Sequence, residues 1–251
     1  GCVPSRYGAE LAAQLPEVAA FVRADEEDGI VAVVRDVLGM GGASFSNEAT
    51  SRALRTVEGA SAYVKISEGC DRFCAFCAIP RIRGRYASRP EGEILSEVER
   101  LMEGGAREVV LIGQDTGIWG SDLGGGRTLA WLLREVAAAV RPYGAWVRVL
   151  YLQPEGMTDE LIATIRDTEE VLSYIDIPIQ HCDERVLASM GRTGSIDRLR
   201  ALFDRLRSEI PGMVLRTTGM VGFPGETDDQ ADELLDFFRE QEFDYMSVFS
   251  Y

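Results

Sequence analysis

Three cysteines stand close together in one short segment of the chain, at Cys70, Cys74 and Cys77. Their C-x-x-x-C-x-x-C spacing lets one loop wrap a compact inorganic centre, with each thiolate reaching a different metal atom. Three thiolates on a four-iron cluster leave one iron without a protein ligand, and catalytic metal sites keep such an open position. The spacing therefore predicts a catalytic iron–sulfur centre. Two other interpretations stay open, namely three buried apolar thiols or a zinc site completed by His181 or Cys182.

Composition bounds the class of protein. The chain has 251 residues, of which 46% are hydrophobic and 27% charged, a globular composition with enough chain for one full-sized core or two small ones. No apolar run approaches the ~18 residues of a membrane span and no signal-peptide pattern is present, so we expect no membrane anchor and a cytoplasmic location. The first residue is Gly1 and the last, Tyr251, lies inside an apolar run, so we expect a fragment of a longer protein.

The charge balance is strongly acidic. Asp and Glu together number 41 against 26 Lys and Arg, which gives a formal net charge of -15. Such a surface repels phosphate backbones and attracts basic proteins. Direct binding of nucleic acid by this chain is therefore not expected. The five cysteines are an odd number and three of them are clustered, which argues against a disulfide framework.

The chain divides into three parts on pattern alone. Residues 1–45 are interpreted as the remainder of a small α/β domain, and the polar, glycine-containing stretch 46–60 as a linker. The first part is expected to contain a helical stretch through Tyr7, Leu11 and Leu15, a short apolar run at 18–22 and a second helix at 30–37.

From residue 61 to 251, six strand-like runs alternate with helical segments. The predicted strands are 63–67, 108–114, 146–152, 174–180, 214–221 and 245–251. The predicted helices are 90–103, 128–140, 158–168, 183–190, 196–210 and 228–240. Runs that are apolar throughout suit strands buried on both faces of a parallel sheet, which right-handed crossovers curl toward a barrel. The predicted fold is therefore α/β, a partial TIM-like (β/α)6 barrel preceded by a fragment of a small α/β domain.

Chemically capable residues follow the predicted strands, where a barrel carries its active site. These groups are Glu68-Gly69-Cys70, Gln114-Asp115, Gln153, Gln180-His181-Cys182 and Gly222 to Glu226. They are expected to collect on one rim. His181, Cys182 and the arginines from Arg81 to Arg89 receive no assigned role.

The cysteine motif, with Phe76 in the usual aromatic position, resembles that of the radical S-adenosylmethionine (SAM) enzymes. The resemblance implies a cluster whose open iron chelates SAM, and a radical made from SAM that abstracts hydrogen. It also implies that Gln114 and Asp115 bind the SAM amino group and that the segment from Gly222 to Glu226 lies against the adenine. Simple turns are the alternative for both places.

Longer motifs are similar to those of the methylthiotransferases within that family, which insert sulfur at an unreactive C–H bond and methylate it. The motifs are Tyr63 to Cys70, Ile79-Pro80, Arg83-Gly84, Ser88 to Pro90 and Val221 to Thr227. Cys2 resembles the last of three cysteines that bind an auxiliary cluster, so residues 1–45 would end that family's N-terminal domain. The resemblance implies two 4Fe-4S clusters in the full-length protein, an electron donor such as flavodoxin or ferredoxin, and a C-terminal TRAM domain that this chain lacks.

Two branches of the methylthiotransferases compete. One modifies an adenosine of tRNA, and the other the β-carbon of an aspartate in ribosomal protein twelve of the small subunit. The segments Leu111 to Thr116, Tyr174 to His181 and Thr193 to Arg198 are more similar to the ribosomal-protein branch. The acidic surface favours the same branch, because it attracts a basic protein. The alternatives kept are the tRNA enzyme and, from another class, a non-catalytic zinc-stabilised protein-binding barrel.

Overall fold

The computed structural model of the chain describes residues 1–40, 57 and 59–251, so the predicted linker lies almost entirely outside the described residues. The α-helices are α1 Cys2–Tyr7, α2 Ala9–Gln14, α3 Ile30–Val37, α4 Ile79–Ile82, α5 Glu91–Glu103, α6 Leu129–Val140, α7 Asp159–Asp167, α8 Glu184–Ser189, α9 Ile196–Glu209 and α10 Asp228–Gln241. The strands are β1 Ser61–Lys65, β2 Ser67–Glu68, β3 Ala87–Ser88, β4 Glu108–Ile112, β5 Trp146–Val149, β6 Tyr174–Gln180, β7 Val214–Val221 and β8 Tyr245–Ser250. Short 3-10 helices occupy Ala24–Gly29, Thr116–Ile118, Arg141–Tyr143 and Pro154–Gly156.

Six of these strands run parallel and follow one another in chain order. β1, β4 and β5 form one ladder, and β6, β7 and β8 form a second. A parallel bridge between Val147 and Val171 joins the two, and the N–H of Leu152 donates to the carbonyl of Asp176 at 3.0 Å. Within the described residues β1 does not pair with β8. The wall is therefore the incomplete six-stranded barrel that the sequence predicts.

Alternation along β6 and β7 separates the two faces of this wall. Ile175, Ile177 and Leu215 are buried in the main hydrophobic core with the side chains of the surrounding helices. Asp176 and Arg216, each adjacent in sequence to those residues, are register partners. Because successive side chains of a strand point to opposite faces, Asp176 and Arg216 lie on the concave face of the barrel.

Polar side chains define where the outer helices begin. Thr128 Oγ1 accepts a hydrogen bond from the Trp131 N–H at 3.1 Å, and Thr158 Oγ1 accepts one from the Leu161 N–H at 3.2 Å. Such caps satisfy N–H groups that lack partners inside the helix, and each contributes about 1 kcal/mol. The predicted start at Thr158 is confirmed.

The first forty residues depart from the prediction. Gly8, at φ 54, divides the expected first helix into α1 and α2. The apolar run 18–22, which would be the strand of an α/β unit, forms no strand. A strand needs a neighbour for its hydrogen bonds, and none lies beside this run among the described residues. α3, from Ile30 to Val37, agrees with the prediction.

None of the helices in the described ranges combines the length and the apolar character that crossing a lipid bilayer requires.

Candidate active site

A short antiparallel ladder closes the loop that carries the three cysteines. In it Ser67 pairs with Ser88 and Glu68 with Ala87, so the loop leaves and rejoins the barrel at one place. At the start of the loop, Gly69 has φ 72, and a Cβ there would lie 2.1 Å from the carbonyl oxygen of Arg85. Only glycine fits this backbone at such close approach. Residues 69–86, the thiol loop, are therefore held at their base by backbone contacts.

Side chains and backbone groups from two strand ends and one helix end secure the thiol loop over the barrel. Arg72 Nε donates to Asp115 Oδ2 at 2.5 Å, and Arg72 Nη1 donates to Glu155 Oε2 at 3.0 Å. The N–H of Ala75 donates to the carbonyl of Met190 at 2.9 Å. Asp115 follows β4, Glu155 follows β5 and Met190 ends α8, so the loop contacts several βα units.

The three thiols are partly exposed rather than buried in the core. Burial raises the pKa of Cys70 and Cys74, and proximity of Cys74 to Cys70, and of Cys77 to Cys74, adds to that rise. Three apolar core thiols are therefore a wrong interpretation. Over residues 1–40, 57 and 59–251, no three His, Cys, Asp or Glu side chains, the three cysteines included, converge closely enough to hold a metal ion.

Two predicted site residues place buried polar atoms beside the loop. Gln114 Oε1 and Asp115 Oδ1 are buried, and neither has a hydrogen-bond partner within the described part of the chain. Leaving a buried polar group unsatisfied costs about 1–3 kcal/mol. Burial raises the pKa of Asp115, although Arg72 opposes that rise. These atoms are acceptors that a polar ligand at the barrel mouth can satisfy.

Phe76 of the thiol loop meets the glycine-rich segment after β7. Phe76 and Phe223 pack in one small apolar cluster together with Val186 and Met190 of α8. Gly222, at φ 79, turns the chain out of β7 into this contact. The structure thus brings together two predicted cofactor-binding elements that are far apart in sequence.

Glu226, also predicted to bind cofactor, has its carboxylate engaged within the chain. Its Oε2 accepts a hydrogen bond from the Phe223 N–H at 2.9 Å, and its Oε1 faces His181 Nε2 at 3.4 Å. His181 Nδ1 accepts from the Asp183 N–H at 3.0 Å. Nδ1 is therefore occupied, whereas Nε2 and the facing Glu226 Oε1 form no hydrogen bond with each other or with any other group of the described residues. Burial lowers its pKa despite the nearby Glu226, so the imidazole is neutral at pH 7.

Cys182 does not join the thiol loop either. Cys182 is fully buried. Burial raises the pKa of its thiol to about 12, and the negative charge of Glu233 adds to that rise. Among the described residues, neither His181 nor Cys182 belongs to a group of three potential metal ligands, so the zinc alternative finds no support in this arrangement.

Cys2 contacts an arginine of the thiol loop itself. Arg83 Nη2 is 3.7 Å from Cys2 Sγ, and Arg83 Nη1 is 3.6 Å from both Glu27 and Glu68. The neighbouring arginines are also paired. Arg85 contacts Asp71 at 3.0 Å, and Arg89 contacts Glu97 at 2.7 Å. These contacts favour a structural role for those three arginines over anion binding.

Two arginines at the site escaped the sequence interpretation. Arg72 was not singled out, although it lies between Cys70 and Cys74. Arg192 is buried, and its Nη2 donates to Gln153 Oε1 at 2.5 Å. The positive charge of Arg192 opposes the rise in the pKa of Cys74. Burial lowers the pKa of Arg192 itself. A glycine–arginine pair directly after a short helix, at Gly191, was the one signal available.

The fold and the site together define an incomplete parallel α/β barrel protein that carries a three-cysteine loop at the carboxyl ends of its strands. The family model for the Radical SAM superfamily matches residues 64–238, and the chain belongs to this superfamily. Membership implies a 4Fe-4S cluster and SAM as cofactors.

Curated relatives cover the whole chain. It is 44% identical, over 262 residues, to "Ribosomal protein uS12 methylthiotransferase RimO" of Syntrophus aciditrophicus (strain SB), and the match covers 100% of the chain and 57% of that protein. It is 41% identical, over 258 residues, to the protein of the same name from Geotalea uraniireducens (strain Rf4), again covering 100% of the chain and 57% of the relative. The chain therefore spans little more than half the length of these relatives.

Solved structures support the fold. The cobalamin-dependent S-adenosylmethionine radical enzyme OxsB superposes with a TM-score of 0.66 at 12% identity, over 95% of this chain and 38% of that one. At this identity the likeness concerns the fold alone.

Proposed function

We propose that this chain forms the catalytic part of a radical SAM methylthiotransferase that adds a methylthio group to the β-carbon of an aspartate in ribosomal protein uS12. The observation that carries the proposal is the thiol loop, anchored over the barrel mouth beside buried acceptors without partners. We infer the substrate from relatives that are named for this activity and are 44% and 41% identical to the chain over its whole length. The acidic net charge of -15 suits a basic ribosomal protein.

The donor set fits the implied cofactors. Cys70, Cys74 and Cys77 would bind the cluster, since thiolates are the ligands that iron–sulfur clusters take. Gln114 Oε1 and Asp115 Oδ1 are acceptors suited to the SAM ammonium group. When bound, the reduced cluster and SAM supply the radical chemistry that an unreactive C–H bond requires.

The other residues position and enclose these groups. Arg72 holds the thiol loop against Asp115, so that the cysteines and the amino-group acceptors keep a fixed relation. Phe76 and Phe223 give the mouth an apolar wall that excludes water. Gly222 permits close approach of its backbone, while Glu226 acts indirectly by holding the Phe223 N–H and His181. Glu226 is therefore a positioning residue in this proposal.

Cys2 would provide one ligand of a second 4Fe-4S cluster, and its contact with Arg83 supports a location near the thiol loop. A small electron carrier such as flavodoxin or ferredoxin would reduce the first cluster. Because the substrate belongs to the ribosome, the activity is assigned to the cytoplasm.

Mass spectrometry of uS12 and of tRNA from cells lacking the gene tests the substrate. Loss of the methylthio group from an aspartate of uS12, with tRNA unchanged, is the expected result. Loss of the methylthio group from tRNA alone would contradict the proposal and would mean that the substrate is an adenosine of tRNA.

Iron and sulfide analysis tests the metal centre. After anaerobic reconstitution, the parent chain should hold iron with labile sulfide, and Cys74→Ala should lose most of both. Cys182→Ala is the matched control and should keep them, because that thiol lies outside the loop. Zinc without labile sulfide in the parent chain would contradict the proposal.

A further inference from the structure

The concave face of the barrel carries a charged pair that the residues discussed so far do not explain. Asp176 of β6 and Arg216 of β7 face each other across the ladder, with Arg216 Nε 3.8 Å from Asp176 Oδ1. Asp176 is buried, whereas 44% of the Arg216 side chain is exposed. The pair therefore leaves its cation accessible on the inner face of the barrel, where an anionic group of a ligand can reach it.

Arg216 makes a longer contact to its carboxylate partner Asp176 than its neighbour Arg148 makes to Glu108. At 3.8 Å the Arg216–Asp176 contact exceeds hydrogen-bond length, and the guanidinium also interacts with the Tyr174 hydroxyl. A guanidinium has five N–H donors in a planar fork, so donors remain. Arg148, by contrast, donates to Glu108 at 2.7 Å and stacks over the Tyr174 ring at 4.4 Å.

Backbone contacts connect this pair with the rim of the active site. The N–H of Leu152 donates to the carbonyl of Asp176 at 3.0 Å. The carbonyl of the preceding residue, Tyr151, accepts from the Thr116 N–H at 3.2 Å, and Thr116 directly follows Asp115. Tyr151 itself has φ 63, a left-handed conformation that only a firm surrounding structure maintains. Asp176 and Arg216 are thus tied to the residues beside the thiol loop rather than to the outside of the barrel.

We propose that Arg216 is a specificity-determining residue that binds the side-chain carboxylate of the substrate aspartate, with Asp176 holding the guanidinium from behind. This inference rests on the proposed function. The β-carbon that is modified is bonded directly to the carboxylate carbon, so a residue that grips the carboxylate fixes which β-hydrogen faces the cofactor. The planar guanidinium matches a carboxylate through two parallel hydrogen bonds, which an amide in its place cannot offer.

Competition between two peptides tests this assignment. The first carries the target aspartate of uS12 and its flanking residues, and the second has asparagine at that position. Equilibrium binding to the cluster-loaded, SAM-bound protein should favour the aspartate peptide by about tenfold to a hundredfold, as expected for a charge-assisted hydrogen bond. Arg216→Gln should bring the ratio close to one, and Arg216→Lys should restore part of it.

Arg200→Gln is the control, because Arg200 lies on the outer helix α9 and pairs with Glu240 there. It should leave the peptide ratio unchanged. Unfolding midpoints of all variants guard against misfolding of Arg216→Gln, and Arg216→Lys retains the charge should the glutamine variant fail to fold. The SAM dissociation constant should be the same for the parent and for Arg216→Gln.

The outcomes separate this inference from the function on which it rests. If the parent protein modifies uS12 but Arg216→Gln keeps the parent preference for aspartate, the inference is wrong and the proposed function stands. Loss of SAM binding in Arg216→Gln with the peptide ratio intact also overturns it, because Arg216 would then serve the cofactor. If the parent protein does not modify uS12, the proposed function fails and the inference fails with it.

Discussion

Arg72, two residues after the first cysteine of the thiol loop, donates from Nε to Asp115 Oδ2 at 2.5 Å. This hydrogen bond joins the loop to the residues that follow β4. The Asp115 side chain is fully buried, and 26% of the Arg72 side chain is exposed. A hydrogen bond from the same guanidinium to Glu155 extends the link to the end of β5. The contact therefore fixes the loop to the barrel and neutralises a buried carboxylate at the same time.

Replacing Arg72 should destabilise the metal-free chain. Arg72→Gln leaves the Asp115 carboxylate buried without its cation, and breaking such a pair costs about 3 kcal/mol. Urea unfolding at neutral pH measures the change. Arg200→Gln, which removes an exposed ion pair on α9, is the control and should change stability little. Equal losses in both variants would mean that Arg72 contributes no more than a surface charge.

Two glycines of the thiol loop should differ sharply in their tolerance of alanine. Gly69→Ala forces a Cβ to within 2.1 Å of the Arg85 carbonyl, whereas a Cβ at Gly84 meets nothing within 4 Å. Both have positive φ, so Gly84→Ala should cost only the about 1–2 kcal/mol of a left-handed alanine. Gly69→Ala should cost more and open the β2–β3 ladder. Amide hydrogen exchange of Arg89, whose N–H donates to the Ile66 carbonyl at 2.8 Å beside that ladder, measures the opening, and equal exchange in the two variants would contradict the prediction.

Cys182 should resist alkylation in the folded chain. With its pKa raised to about 12 by burial, its thiolate fraction at pH 8 is about one in ten thousand, and the thiolate is the reactive form. Iodoacetamide followed by peptide mapping should label exposed Cys2 while Cys182 stays unmodified. Urea should remove the protection, and raising the pH should increase labelling of Cys182 only as the pH nears 12. Rapid labelling of Cys182 in the folded chain at pH 8 would refute this.

His181 should make the chain less stable in mild acid. Burial lowers its pKa below the about 6.5 of an unfolded chain, although Glu226 and Asp183 oppose the shift. The unfolded state then binds the proton more tightly, so this contribution to stability is complete above about pH 6.5 and is lost as the pH falls toward the folded-state pKa. His181→Gln cannot take up the proton and should reduce the difference in urea midpoint between about pH 7.5 and about pH 5.5. An identical difference in urea midpoint for the parent and His181→Gln would mean that His181 does not cause the loss of stability in acid.

The strands were predictable where their signals are local. β6 and β7 have the predicted bounds, because apolar alternation and flanking turn residues coincide there. β5 was expected to reach Leu152 but ends at Val149, because the carbonyls of Leu150 and Tyr151 accept hydrogen bonds from the Thr116 hydroxyl. A contact with another βα unit is not visible in the sequence of the strand itself.

The same distinction between local sequence signals and contacts between distant segments applies to the candidate active site. The three-cysteine loop was predictable because its spacing is local, and the place of Gln114 and Asp115 beyond β4 because they follow an apolar run, while their roles as ligands stay predictions. The packing of Phe76 against Phe223 and the burial of Arg192 depend on contacts between distant segments. The engagement of Glu226 by His181 depends on the end of β6 meeting the turn after β7, and therefore required the fold.

The anchoring of the thiol loop also sets an order of events during synthesis. The cysteines follow the first barrel strand, yet their loop is held by Asp115, Glu155 and Met190, and Met190 comes after four of the six parallel strands. The three thiols are therefore synthesised well before all the residues that hold their loop in place. With the ligand set proposed above, delivery of iron and sulfide to this protein would therefore be a late step, taken after most of the barrel has been synthesised.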